Sequence, residues 1–453
     1  DERSALERLD IPYFTMPTDG TTICTESGER IEGHYDASGL ERLHSRLESL
    51  SEQDLDVQIN LLRASLLASD SSEAAIAADA AATEGGPPDA GADARLESVR
   101  PLVEAATALA DDILEQAIEG EDGSMTWIAP AYLRTGERTD RGVSYYLHGG
   151  ASGIALFLAA AARVTGNDRY RAAAGAACAP IVTVLDSGSA DKLLEYEGIG
   201  ACNGLGGIVY AMTSIGRLLD DGSFTETASR VAEFITEARI ASDTRFDVEG
   251  GAAGAILGLL ALHRVTDETW QLDRAATCGR HLVGGARSAD GGGAAWPGPD
   301  GLMLAGFAHG AAGIAHALAH LYRVTGEQPF RDAVSMAYRY ERGVFSPEAG
   351  NWPLLQLQEH SGELERIQMK AWCHGAPGIA LARAGTLDLL DDETIRGELE
   401  TALDSTMHVG LSGLDHLCCG NLGRVDVLFT SGRTLRDEGL VGESGGRAAM
   451  VLR

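Results

Sequence analysis

Lysine is nearly absent from this chain: Lys192 and Lys370 are the two it has in 453 residues. Acidic side chains outnumber Lys and Arg by 67 to 36, a formal net charge of −31, so nucleic acid and anionic membranes are repelled and drop out as partners. Aromatic residues make up only 6%, and no apolar run approaches the roughly 18 to 20 residues of a membrane span. The opening Asp1-Glu2-Arg3 has neither an initiator Met nor the apolar stretch of a signal peptide. A cytoplasmic protein, or a fragment of a longer one, is the expectation. The cysteines, Cys24, Cys178, Cys202, Cys278, Cys373, Cys418 and Cys419, are odd in number and unevenly spaced, which argues against a disulfide framework.

What is present is small and apolar. Apolar residues reach 44% and glycine contributes 56 positions, so a sizeable core must be packed through close helix contacts rather than large rings. The acid-rich, lysine-poor surface resembles that of proteins from salt-loving organisms, where ionic strength screens self-repulsion.

Residues 1–68 are too few for an independent domain and read as the tail of one. Leu9-Asp10-Ile11-Pro12-Tyr13-Phe14 is extended because of its proline, and from Gly39 to Leu67 the apolar spacing is helical. Residues 69–95 consist mostly of Ala, Asp, Gly and Pro with almost no large apolar side chain; they read as a flexible linker. From residue 96 to 453 the chain repeats itself. Glycine pairs three apart open runs of Ala, Ile and Leu at Gly150/Gly153, Gly204/Gly207, Gly251/Gly254, Gly310/Gly313, Gly375/Gly378 and Gly420/Gly423. The intervals of 54, 47, 59, 65 and 45 residues each hold two helices. Stretches between them, such as 168–185 and 225–241, are more polar. Inner helices apolar all round would then alternate with amphipathic outer ones. Such an array stays open as a solenoid or closes into an α/α toroid.

The residues ahead of the glycines favour closure. His148, Asn203, Asp247 with Glu249, His309, Cys373 with His374, and Cys418 with Cys419 recur at one point of the repeat. In a ring those points meet at one end and make a single site. Three thiols on two turns, 45 positions apart, suit zinc better than a disulfide in a reduced compartment, because thiolates are strong zinc ligands. Buried small residues are the bland alternative.

The strings Gly306-Phe307-Ala308-His309-Gly310, Trp372-Cys373-His374-Gly375-Ala376-Pro377-Gly378-Ile379 and Cys418-Cys419-Gly420-Asn421-Leu422-Gly423-Arg424 resemble the lanthionine synthetase C-like cyclases. The double cysteine resembles in particular the cyclase half of class II (LanM) lanthipeptide synthetases, and residues 1–68 resemble the end of the kinase-like dehydratase half that precedes it. The resemblance implies an all-α toroid with one zinc per chain on Cys373, Cys418 and Cys419. It implies a cyclase that adds cysteine thiols of a precursor peptide, a leader followed by a Cys/Ser/Thr-rich core, to dehydroalanine or dehydrobutyrine. His309, Asp247 and His374 would be the acid/base and site residues. Apart from the resemblance, Lys370, three residues before Cys373, and Trp372, as a wall of the pocket, are expected to contact substrate. The resemblance also implies a further glycine-initiated inner helix beyond Arg453, since Gly442 and Gly445 follow Gly420 too closely, and a dehydratase body outside this chain.

Other readings stand beside these. His148, His316 and His320 suit turn capping or packing, Cys202 suits packing, and Asp247 suits a helix cap. A zinc-bearing toroid that binds glutathione or a thiol peptide without turnover is the competing function. A sugar-processing barrel would need paired carboxylates across the ring mouth, and only Asp247 and Glu249, on one repeat, come near.

Overall fold

The computed structural model describes residues 13–25, 27–52, 99–132, 138–194, 197–298, 300–358, 362–411 and 414–452, with scattered positions between 3 and 11 and between 54 and 62. The expected linker, 69–95, lies outside the described residues. The chain divides into two compact units, Asp1–Leu66 and Leu67–Arg453.

The first unit holds three short antiparallel strands, β1 (Phe14–Thr15), β2 (Ile23–Thr25) and β3 (Arg30–Ile31), and helix α1 (Gly39–Glu48). Ser38 starts α1 through a capping box: its hydroxyl accepts from Glu41 N at 3.2 Å, and the Glu41 carboxylate accepts from Ser38 N at 2.8 Å. No residue of α1 is buried, and Leu40, Leu43 and Leu47 face solvent.

In the second unit each of the six glycine pairs opens an inner helix: α3 (Ala151–Thr165), α5 (Leu205–Leu219), α8 (Ala252–Thr266), α10 (Ala311–Thr325), α12 (Ala376–Thr386) and α14 (Asn421–Leu435). Each has the first glycine of its pair as N-cap, with no side-chain cap. The second glycine has a steric cause. A Cβ at Gly153, Gly207, Gly254, Gly313, Gly378 or Gly423 would run into the carbonyl six residues back, that of Leu147, Ala201, Val248, Phe307, Trp372 or Leu417. Only a residue without Cβ lets that turn fold tightly against the first turn of its helix.

Apart from a single helical turn at Ala190–Leu193, the intervening helices are α4 (Asp168–Asp186), α6 (Gly222–Glu233), α7 (Glu237–Ser242), α9 (Thr269–Gly285), α11 (Gln328–Val344), α13 (Glu393–Met407) and α15 (Glu438–Val451). Asn167, Asp221, Asp392 and Asp437 cap four of them through side-chain oxygens. The stretch expected as one helix over 225–241 is two, α6 and α7, the latter capped by Thr236. Gly442 and Gly445 lie inside α15. The long interval between Gly310 and Gly375 accommodates an antiparallel hairpin, Leu354–Leu357 with Leu364–Ile367. Consecutive inner helices pack side by side from α3 to α14 and each rests on the helix that follows it. Helix α2 (Arg100–Glu115) lies against both α3 and α15, the first and last members of the array.

Candidate metal centre

The turns ahead of the inner helices are linked to one another by backbone hydrogen bonds. His148 N donates to Cys202 O (3.1 Å), Cys202 N and Asn203 N to Glu249 O (3.0 and 3.2 Å), Val248 N and Glu249 N to Ala308 O (both 3.1 Å), and Ala308 N to Cys373 O (3.2 Å). The same position of successive repeats is joined each time. This gathers the polar residues of the sequence pattern at one end of the helices.

Cys373, Cys418 and Cys419 meet there, their sulfurs all within 4.8 Å of one another. Cys373 is buried against Ala308 and Ala371, with Met369 and Trp372 packed alongside. Two anchors fix the approach. Asn351, fully buried, accepts from Ala376 N at 2.8 Å and donates to Met369 O at 2.9 Å, which clamps the Cys373 turn. Arg424 donates to Lys370 O at 3.3 Å and to Asn421 Oδ1 at 2.6 Å, while Asn421 Nδ2 donates to Asp415 Oδ1 at 2.7 Å, so the Cys418-Cys419 turn is tied to the segment that carries Cys373. The sequence reading assigned no role to Asn351, Asn421 or Arg424. The i, i+3 spacing of Asn421 and Arg424 at the start of α14 is a signal that could have found that pair.

Three thiols in mutual contact share their protons unequally. Hydrogen bonds from Cys373 and Cys418 pull the Cys419 thiol far below its ordinary range, helped by His416 and His148, whereas Cys373, bonded to Cys418 and Cys419, is driven far above it. One sulfur ionises easily and the last does so only if a cation takes the place of the proton. All seven cysteines are free thiols. Three soft donors at this separation, with buried backing and no disulfide, fit a tetrahedral thiophilic cation such as zinc. Cys202 also faces this cluster: burial, then Glu249, Cys418 and Asp247, push its thiol up to about 12.

Beside the sulfurs stands a second group, Asp247, Glu249 and His309. His309 Nδ1 lies 3.2 Å from Asp247 Oδ2 and 3.4 Å from Glu249 Oε2. Burial lowers the basicity of that ring, and the hydrogen bond to Asp247 with the charges of Glu249 and Asp247 more than offsets it, so His309 is held above its usual value. The turn that carries both acids is braced. Asp243 accepts from Arg245 N (2.9 Å), Phe246 N (3.2 Å) and Ala252 N (2.8 Å), and Phe246, at φ +63°, stacks on His281 at 5.3 Å. His374 stacks on His309 with centroids 5.3 Å apart, and desolvation, then the charge of His309, lowers it to about 4.

Of the residues singled out from sequence, Cys373, Cys418, Cys419, His309, Asp247 and His374 are thus assembled in one place, and Trp372 lies between the sulfurs and Phe307, 5.5 Å away. Lys370 is arranged differently: burial lowers its pKa, and the charge opposing this is Asp404 on α13. His316 and His320 are in contact on α10, 4.4 Å between centroids, and line a separate cavity of about 690 Å³ formed with α12 and α14 that shares no residue with the thiol cluster.

No curated protein matches the chain by sequence. Among solved structures, "Nisin cyclase" aligns with a TM-score of 0.51 at 17% identity, covering 75% of this chain and 83% of its own. A GH76 α-mannanase from Bacteroides thetaiotaomicron (TM-score 0.44, 14% identity, 64% and 85% covered) and a sugar epimerase from a ruminal bacterium (0.39, 14%, 55% and 74%) are more distant likenesses. The first alignment bears out the toroidal fold of the second unit. The profile described as "Lanthionine synthetase C-like protein" matches residues 143–444, from just before the first glycine pair to within α15. By that match, which covers well over half of its length, the chain belongs to the lanthionine synthetase C-like family.

Proposed function

We propose that the second unit is a zinc-dependent cyclase that closes lanthionine or methyllanthionine rings in a dehydrated precursor peptide. The observation that carries this reading is the meeting of three sulfurs with a histidine held by carboxylates, since a pure thiol binder needs the first and not the second. Cys373, Cys418 and Cys419 would hold one zinc ion per chain. Zinc bound there would lower the pKa of an incoming cysteine thiol, supplying the nucleophile at neutral pH.

The chain's own residues account for the rest. In the addition, the sulfur–carbon bond forms as the alkene π bond breaks, and the α carbon takes a proton. His309, kept protonated by Asp247 and Glu249, is the donor, because a raised pKa keeps an imidazolium available near neutrality. His374, kept neutral by burial, lies flat against it and limits its movement. Trp372 forms an apolar wall, and Lys370 is a peripheral substrate contact.

The double cysteine supports a class II, LanM-type origin, with residues 1–68 as the end of a dehydratase half and 96–453 as the cyclase. Seven free thiols support a reducing, cytoplasmic setting. No helix among the described residues is long and apolar enough to cross a membrane. The decisive experiment incubates the zinc-loaded protein with a dehydrated, cysteine-containing precursor, then alkylates free thiols and reads mass. Loss of alkylatable cysteine at constant peptide mass supports cyclisation. A peptide that binds yet keeps its thiols means a binding protein instead.

A further inference from the structure

We propose that Glu249 is a positioning residue: with Asp247 it fixes the His309 imidazole as its Nδ1–H tautomer, leaving Nε2 to exchange the proton with substrate. The inference rests on the cyclase reading for its consequence, although the tautomer itself does not depend on it. Two carboxylate oxygens, Asp247 Oδ2 at 3.2 Å and Glu249 Oε2 at 3.4 Å, face one ring nitrogen. Neither accepts anything but a proton there, so Nδ1 carries hydrogen whether the ring is neutral or charged. Nε2 has no hydrogen bond among the described residues.

Glu249 is not a casual neighbour. Its Oε1 accepts from Asn203 Nδ2 at 2.7 Å and its Oε2 from Arg245 Nη2 at 2.9 Å. Asn203 belongs to the preceding repeat, Arg245 to the same turn, and His309 to the next, so this one carboxylate is held from three sides and cannot swing away from the ring. The Arg245 guanidinium, 2.9 Å from Glu249 Oε2, supplies positive charge beside the two acids. Asp247 is in turn fixed by Gly250 N, which donates to Oδ1 at 2.7 Å. Asp247 makes the hydrogen bond to Nδ1, and the Glu249 oxygen 3.4 Å from the same nitrogen adds an electrostatic restraint against a ring flip.

The test compares wild type with Glu249→Gln and Glu249→Asp, all zinc-loaded. Histidine-ring ¹⁵N spectra without peptide, taken on the alkaline side of the His309 titration where the ring is neutral and with His309 assigned by difference against His309→Gln, should show Nδ1 protonated and Nε2 bare in wild type. In Glu249→Gln, whose amide can present N–H to the ring, the two tautomers should mix, and Glu249→Asp should restore the wild-type pattern in part. Cyclisation by Glu249→Gln should fall about 10- to 100-fold in kcat with KM nearly unchanged. Should Glu249→Gln fail to fold, Asn203→Ala, which loosens the carboxylate from the other side, is measured in the same way and should mix the tautomers too. An unchanged His309 spectrum in the variants that fold overturns the proposal. So does metal analysis that finds two ions per chain in wild type and one in Glu249→Gln, because Asp247, Glu249 and His309 would then be a second cation site. Loss of cyclisation in wild type, with the tautomer as expected, would instead count against the cyclase reading alone.

Discussion

His309 Nδ1 and Asp247 Oδ2 are 3.2 Å apart although 62 residues separate them in the chain. The contact exists because Val248 and Glu249 donate their backbone N–H to Ala308 O, docking one repeat's turn on the next. Removing the charge while keeping the shape tests its worth. Asp247→Asn should fold with a thermal midpoint close to wild type and lose roughly 10²- to 10³-fold in cyclisation rate, because the amide no longer holds His309 above its usual pKa. A variant within threefold of wild type in a single-turnover assay would show that the pair is structural.

The three sulfurs make a second prediction. A cation bound by the folded chain and not by the unfolded one stabilises by about 4 kcal/mol at a thousandfold excess over Kd. Chelation should therefore lower the midpoint by several degrees, with zinc restoring it, and Cys418→Ala/Cys419→Ala should behave as the chelated protein with or without added zinc. Identical melts for all samples would remove the metal from the account.

The glycine pairs made the inner helices readable, because each pair answers a steric demand that recurs unchanged: the carbonyl six residues before the second glycine has room only if no Cβ is there. The cysteines, Asp247 and His309 were readable for a related reason, since they occupy one register of that repeat. Asn351 was not, because it reaches Met369 and Ala376 from outside the register. The link from Asn203 through Glu249 to His309 crosses three repeats, and no spacing within one repeat encodes it. The charge that acts on Lys370 is Asp404, a residue of an outer helix that sequence distance does not relate to it.

A third prediction concerns the core. Arg383 on inner helix α12 is fully buried and bonds Glu341 of α11 at 2.7 Å and Glu398 of α13 at 2.8 Å. Arg383→Met keeps the volume and leaves the fully buried Glu341 without its cation, while Glu398 keeps Arg342 as a partner, so it should cost about 3 to 5 kcal/mol in urea unfolding at pH 7. Replacing Glu341 by Gln in the same background should recover part of that loss, since the stranded acid is then gone. No recovery would mean that packing, rather than charge, carries the site.

The last prediction follows from His316 and His320. Burial lowers both below the ordinary 6.5, His320 to about 4; Arg323 acts on both in the same direction and Arg264 on His320, with Asp388 opposing. The unfolded chain therefore binds protons at these positions from about pH 6.5 downward, while the folded chain keeps the proton off His320 until near pH 4 and holds His316 well below its ordinary value. Their contribution to stability is fully present above 6.5 and drains away as pH falls below it, at up to about 1.4 kcal/mol per pH unit for each ring. Between pH 7 and 5 wild type should lose roughly 2 to 4 kcal/mol more than His316→Leu/His320→Leu, after allowance for partial solvent contact. Leucine cannot titrate, so the variant keeps every other acid-sensitive group and drops only these two. Urea unfolding of both proteins at the two pH values decides the matter, and equal losses would place the rings in an environment that tolerates their charge.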